Sequence, residues 1–444
     1  MKTTILIILN KLITFTCKIF KKNGSVFPGS IISKFDKNIL KKLKYPKYVI
    51  GITGSSGKGS TTALAAYILE NSGYKVVWNK SGSNLINAAI TLILNNTKPF
   101  SKKINCDILL LELDESYISQ IFEKNKLTHL LITNITRDQP ARNGHPEIIL
   151  NKIISSIGSK THVIINSDDP FLNRIKYIHK GKITTYGIGK TKYDSIIPIN
   201  DSVDAAYCPL CNTKLDYEFY HTGHIGKYKC SNCEFERGKV DFEASNVDLD
   251  SQSFMINKNK YFINKNVFFA AYYTLAAYVI CKVIKLDDKL INKYLNEIPM
   301  EAKRMKTLSI DNRLINMVES KNENNLSYYE SLHYIKEQKH KKTIILGFDN
   351  VSRRYKLNDI SWLYDVKFEL LNDDYIDKIF IIGKFRYDVL TRLMYAGIDE
   401  KKLILIDDLD NLLPSIKKNS VGNIYTIVCF DMTAKIKKLV LNDK

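Results

Sequence analysis

The chain has 444 residues, 45% of them hydrophobic and 25% charged, which is ample apolar material for two or three globular domains and shows no tandem repeat. Its formal net charge of +20 points to an acidic partner, whether anionic lipid headgroups, a pyrophosphate-bearing substrate or nucleic acid. Nucleic acid is disfavoured because no compact basic run is interleaved with aromatic residues, and part of the charge follows from the general abundance of Asn, Ile and Lys.

At the N-terminus, Met1 to Phe20 is apolar but interrupted by Lys11 and Lys18, and no small-residue cleavage site follows. Lys11, Thr14, Lys18 and Lys21 recur at helical spacing opposite Ile8, Leu12, Phe15 and Ile19. This pattern predicts an amphipathic helix rather than a signal peptide or a membrane span. Such a helix either packs on the protein or lies on a membrane surface, so the expected location is the cytoplasm, with the inner face of the plasma membrane as one possibility.

The next element carries the most information. Val49 to Ile52 is a β-branched run of the kind that forms a buried parallel strand. It leads through Thr53-Gly54-Ser55-Ser56-Gly57 to Lys58-Gly59-Ser60-Thr61, where a helix is expected to open. Strand, glycine loop, lysine and hydroxyl at a helix N-terminus form a phosphate cradle. Glycines let backbone N–H groups approach, Lys58 meets the terminal phosphates, and a hydroxyl of Ser60 or Thr61 can hold Mg²⁺. The full GxxxxGK[ST] string is absent, because Ile52 stands at the first Gly and Gly59 follows the lysine. A glycine-rich turn without a ligand is the plain alternative.

Helix and strand then alternate. Thr62–Ser72 and Ile86–Leu94 read as helices, while Tyr74–Trp78, Asp107–Leu113, His129–Thr133 and Val163–Asn166 read as strands. This is the rhythm of an open parallel sheet, whose ligands gather at the carboxyl ends of its strands. Glu112-Leu-Asp-Glu115 lies at such an end, so Glu112 is well placed to ligate Mg²⁺; a solvated strand end is the other reading. Between about residues 204 and 240 the rhythm breaks. Cys208-Pro-Leu-Cys211 and Cys230-Ser-Asn-Cys233 stand 18 residues apart, the spacing of a closed four-thiolate zinc ribbon. The other four cysteines are scattered in apolar segments, a usage that fits a reducing compartment. A long apolar helix, Asn266–Val283, precedes a linker at Met300–Leu308. A second strand series then follows at Thr343–Gly347, Lys378–Gly383, Lys402–Ile406 and Ile424–Phe430.

These motifs accumulate into a resemblance. Thr53-Gly-Ser-Ser-Gly-Lys-Gly-Ser-Thr61 resembles the ATP loop of Mur ligases and folylpolyglutamate synthetases, and Glu112-Leu-Asp-Glu their Mg²⁺-binding strand end. Asn79–Leu85, Thr133–Gln139 and Asn166–Pro170 continue the match. The four-cysteine insert and Asp359-Ile-Ser-Trp-Leu-Tyr-Asp365 narrow it to the MurT family, the Mur-ligase-like subunits of lipid II isoglutaminyl synthase. The resemblance implies an α/β fold. Residues 1–45 would be an N-terminal amphipathic segment and 46–300 a P-loop central domain with a parallel sheet and the inserted four-cysteine zinc ribbon. Residues 301–444 would form a C-terminal Rossmann-like domain. Only some fifty residues precede Gly54, so the nucleotide-sugar-binding domain that peptidoglycan Mur ligases place there is not expected.

The resemblance also implies a reaction: ATP-dependent amidation of the α-carboxylate of the stem-peptide D-glutamate, through an acyl phosphate, with ammonia from a GatD-like glutaminase in a heterodimer. Lys58, Glu112 and Mg²⁺ on Ser60 and Glu112 would serve the phosphoryl transfer. Asn134 and Asn266 would help hold the nucleotide, and Arg304 would reach its γ-phosphate. Asp359, beside Trp362 at an interface, would complete the partner's catalytic triad, although it also fits a helix N-cap. The chain departs from the family pattern at Lys303, Lys306, Phe269 and Glu323. The alternatives are an amino-acid ligase of Mur or folylpolyglutamate type on another acceptor, and a zinc-ribbon binding protein with a nucleotide switch.

Overall fold

A computed structural model describes residues 2–442 except 23, 81, 83, 124, 139–142, 199–203, 264–266, 299–305, 320–324 and 350–358. It divides into two units. The first comprises Met1–Thr136, Pro146–Ile199 and Val203–Ile298; the second comprises Arg137–His145, Asn200–Ser202 and Pro299–Lys444.

The first unit is built on β1 (Tyr48–Thr53), β2 (Val76–Trp78), β3 (Ile108–Glu112), β4 (His129–Ile132), β5 (His162–Asn166) and β6 (Ile183–Ile188). Side-chain alternation along these strands supplies two cores at once, as a sheet covered on both faces requires. Ile50, Ile52, Leu110 and Leu131 face one core, whereas Val49, Leu109, Leu111, Leu130 and Ile132 face the other. The second core holds parts of α1 (Lys2–Ile19), α2 (Phe27–Phe35) and α4 (Ile86–Asn95), and the first holds α3 (Lys58–Asn71). Two short helices, α5 (Ile118–Ile121) and α7 (Pro170–Asn173), flank α6 (Pro146–Ser156), and α8 (Phe268–Val283) with α9 (Asp288–Asn296) closes the unit. Ala270, Ala271, Ala276 and Ala277 line α8 and let it pack closely on α3.

An antiparallel hairpin, β7 (Leu215–Thr222) and β8 (Ile225–Cys230), stands apart from the sheet. Three further strands, β9 (Phe242–Asp248), β10 (Ser253–Ile256) and β11 (Asn259–Phe262), extend the sheet to nine strands in the order β11-β10-β9-β6-β5-β4-β1-β3-β2. All pairings from β9 through β6 to β2 are parallel. β1 sits between β3 and β4, which the chain visits in succession on opposite sides, so the order reverses at β1 and a crevice opens at its carboxyl end.

The N-terminal helix forms as its spacing predicts, yet it does not bury its apolar stripe. Leu6, Ile7, Asn10 and Cys17 face the protein, while Ile8, Leu12, Phe15 and Ile19 are exposed. Polar pairing decides the orientation. Asn10 Nδ2 donates to Thr91 O at 3.2 Å and to Asn95 Oδ1 at 2.9 Å, and Asn95 Nδ2 donates to Thr14 Oγ1 at 3.2 Å.

The second unit has a six-stranded sheet. Its strands are β12 (Lys306–Ile310), β13 (Arg313–Glu319), β14 (Lys342–Gly347), β15 (Ile376–Ile382), β16 (Leu403–Leu405) and β17 (Asn423–Val428), in the order β12-β13-β17-β14-β15-β16. Only the β12–β13 hairpin is antiparallel. The helices are α10 (Asn325–Glu337), α11 (Arg386–Tyr395), α12 (Leu412–Asn419) and α13 (Phe430–Asn442).

Candidate nucleotide loop and cysteine cluster

The loop after β1 is held in shape by the segment after β4. Gly54 has φ +125°, and an added Cβ there would lie 2.3 Å from Thr133 Oγ1 and 2.7 Å from Asn134 O, so only glycine fits. Gly57, at φ +81°, turns the chain into α3, whose first residue is Lys58. Asn134 clamps Ser56, accepting its N–H at 3.0 Å and donating to its carbonyl at 3.1 Å. Thr133 Oγ1 donates to the same carbonyl at 2.6 Å. Ser55 N donates to Asn134 O at 2.8 Å, and Ser55 Oγ accepts from Thr136 N at 2.9 Å. Asn134 therefore positions the loop with its amide. Thr61 Oγ1 is buried with no hydrogen-bond partner among the described residues, an orphan that a phosphate or its cation would satisfy.

The acids at the end of β3 divide their work. Glu112 is half-buried and sits opposite Ile52 in the β1–β3 register, with its backbone N–H and C=O both bonded to the Asn79 amide. Glu115 pairs with the Lys58 ammonium, both groups being buried, and accepts Gly54 N–H at 3.2 Å. The sequence reading singled out Glu112 and missed Glu115, although the run of three acids in four residues was the available signal.

Behind the loop lies a buried dipeptide. Asp169 accepts Ile135 N–H at 2.7 Å, caps α7 through Phe171 N–H, and stands 3.3 Å from His224 Nε2 at the hairpin turn. Asp168 accepts from Arg237 Nε at 2.8 Å, Tyr272 Oη at 2.7 Å and Ile188 N at 2.7 Å. Burial, reinforced by the Asp168 charge, raises the Tyr272 phenol well above its usual range, so it acts as a donor. Arg237 extends the network to Glu243 Oε2 at 2.7 Å.

The four knuckle cysteines converge. Their Sγ atoms all lie within 4.8 Å of one another, with Cys208–Cys233 and Cys211–Cys230 each 3.4 Å apart. Leu210 N–H and Asn232 N–H point at Cys208 and Cys230 Sγ at 3.4 Å, and Thr213, by its hydroxyl and backbone N–H, lowers the Cys211 thiol to about 6. Leu215, Tyr228 and Phe235 pack around the cluster. Four sulfurs at this separation suit one tetrahedral ion with no open position. Among the described residues this is the one such grouping of metal-ligating side chains.

Comparison with known proteins matches this geometry. Residues 52–234 fit the Mur ligase middle domain, and residues 321–432 fit the MurT ligase C-terminal model. The lipid II isoglutaminyl synthase (glutamine-hydrolyzing) subunit MurT of Staphylococcus aureus strain COL is 27% identical over 85% of this chain and 84% of its own length. Its counterpart from Streptococcus pneumoniae strain R6 is 25% identical over 94% of this chain and 92% of its own. The chain is thus similar to MurT along nearly its whole length. Its fold also resembles that of a pseudomurein peptide ligase type C from Methanothermus fervidus, with a TM-score of 0.67 and 18% identity over 92% of this chain and 81% of that one.

In the second unit, Asp359 is exposed and its Oδ1 accepts Ser361 N–H at 2.9 Å, opening a 3₁₀ turn at Ser361–Asp365. That bond holds its carboxyl below the ordinary range, so it stays ionised at neutral pH. Trp362 is not at a surface as expected. It is buried against Tyr328 and Phe348, with ring centroids 5.1 and 5.3 Å away, and anchors the segment from beneath. The exposed aromatic there is Tyr364. Asn266, Arg304, Lys303, Gln139 and Glu323 lie outside the described residues, so the structure places none of them.

Proposed function

We propose that the chain is the ATP-dependent synthetase subunit of an amidotransferase that converts the D-glutamate α-carboxylate of the lipid II stem peptide to the amide. The observation that carries this reading is the match of both units to MurT, along nearly the whole chain, around a formed phosphate loop.

In this reading the substrate carboxylate attacks the γ-phosphorus and ADP leaves, giving an acyl phosphate; ammonia then attacks the acyl carbon and phosphate departs. The N–H groups around Gly54–Gly57 and the Lys58 ammonium neutralise charge on the transferring group. Glu112 and Ser60 would hold the Mg²⁺ that accompanies ATP, and the cation would supply charge neutralisation at the phosphates. Asn266 and Arg304 contribute to nucleotide binding, Asn134 holds the loop, and Cys208, Cys211, Cys230 and Cys233 bind a structural zinc ion. Ammonia comes from a glutaminase partner whose histidine Asp359 orients; its exposure and its ionised carboxyl support that role.

The test is mass spectrometry of lipid II after incubation with the chain, its glutaminase partner, Mg-ATP and glutamine, or with ammonium in place of glutamine. The expected product shows the small mass loss of acid to amide. Gain of an amino-acid residue would instead assign a Mur-type ligase, and unaltered lipid II would refute the amidation reading.

A further inference from the structure

The N-terminal helix is apolar on two sides, and only one of them is used by the fold. Ile5, Ile8, Leu12, Phe15 and Ile19 follow 3,4,3,4 spacing and, with Phe20 beyond them, are 40% to 68% exposed. They face away from the Asn10 and Thr14 side that bonds α4. Six large apolar side chains in one exposed stripe are more than a lone domain leaves in water without a use. No helix among the described residues is long and apolar enough to cross a membrane, so the stripe is not part of a span.

Charge identifies what covers it. Eleven lysines and a single acid, Asp36, occur in the first 47 residues, so half of the net charge of +20 sits in about a tenth of the chain. Lys11 and Lys18 lie along one edge of the stripe and Lys21 and Lys22 beyond its end, with Lys18, Lys21 and Lys22 exposed. We infer that α1 docks the protein on an anionic bilayer, its Ile5–Phe20 stripe dipping among the acyl chains while the lysines meet the lipid phosphates. A second copy of the chain is disfavoured as the occupant. An antiparallel two-fold contact centred on the stripe would set Lys11 beside its own counterpart and leave like charges facing each other. The inference does not rest on the amidation reading; vesicles without lipid II test it alone.

The experiment is flotation of the full chain with vesicles of phosphatidylcholine, or of phosphatidylcholine with about a third phosphatidylglycerol, at low and high salt. Strong binding to the anionic vesicles, weakened by salt, is expected. Leu12→Glu with Phe15→Glu should weaken it more than about tenfold, because two apolar anchors are lost at positions whose exposure spares the fold. Lys11→Gln with Lys18→Gln should weaken anionic binding by roughly fivefold per lysine and leave phosphatidylcholine binding unchanged. Wild-type chain that stays off anionic vesicles would overturn the inference, as would a Leu12→Glu/Phe15→Glu variant that floats normally. A wild-type dimer that this variant dissociates, with no vesicle binding, would assign the stripe to a second copy.

Discussion

Asp168 offers the sharpest test of how the first unit is held together. Its carboxylate is fully buried and receives Arg237, the Tyr272 hydroxyl and the Ile188 N–H. Asp168→Ala would leave a guanidinium that is itself only 4% exposed with Glu243 as its remaining carboxylate, and would orphan two further donors. Removing one partner of a buried pair costs about 3–5 kcal/mol. In a unit of this size each kcal/mol is worth roughly 2 °C, so the melting temperature should fall by about 6–10 °C. Thermal melts by circular dichroism and urea titrations of Asp168→Ala, Arg237→Met and the double variant form a complete cycle. Because the double variant buries no unpaired charge, it should be about 2 kcal/mol less destabilised than the sum of the singles. A single variant melting within about 2 °C of wild type, or an additive cycle, would refute the claim that this network carries the packing of the insert.

Glu115→Gln should raise the KM for Mg-ATP about tenfold, the worth of one charge-assisted hydrogen bond on the Lys58 loop, while kcat falls less. An unchanged KM in steady-state assays would remove Glu115 from the site. Asp359→Asn should abolish glutamine-driven amidation and spare both nucleotide binding and ammonium-driven turnover; retained glutamine-driven activity would end the triad role. Burial, with Lys182 adding to it, pushes His129 down to about 4 from 6.5, and burial with the neighbouring His129 does the same to His162. Both are therefore neutral in the fold, and the stability they contribute is complete above pH 6.5 and is lost as pH falls towards 4. The melting temperature should drop between pH 7 and pH 5, and a His129→Gln/His162→Gln variant should show a shallower drop; equal slopes would disprove the assignment.

What the sequence made legible was local. The phosphate loop was readable because glycine, lysine and hydroxyl act within a dozen residues, and the cysteine cluster because each knuckle fixes its own geometry. Long-range choices were not readable. Which acid of Glu112–Glu115 meets Lys58 depends on how the chain turns after β3. The amphipathic spacing of α1 was plain, but Asn10 and Thr14 had partners 81 to 85 residues away in α4, and those partners decided which side is buried. Trp362 reads as an interface residue until Tyr328 and Phe348 are seen to enclose it. The roles of the Asp168 and Asp169 carboxylates were not readable either, because nothing local announces an arginine 69 residues on.

Those two adjacent aspartates have a consequence for the cysteine insert. One carboxylate belongs to the insert's arginine, and the other joins the insert's histidine to the backbone that supports the phosphate loop. The insert is therefore not a removable cassette. Excising residues 204–240 would strand a buried negative charge next to the nucleotide loop. Removing the knuckles without stranding that charge therefore requires a change at Asp168 or another cation beside it.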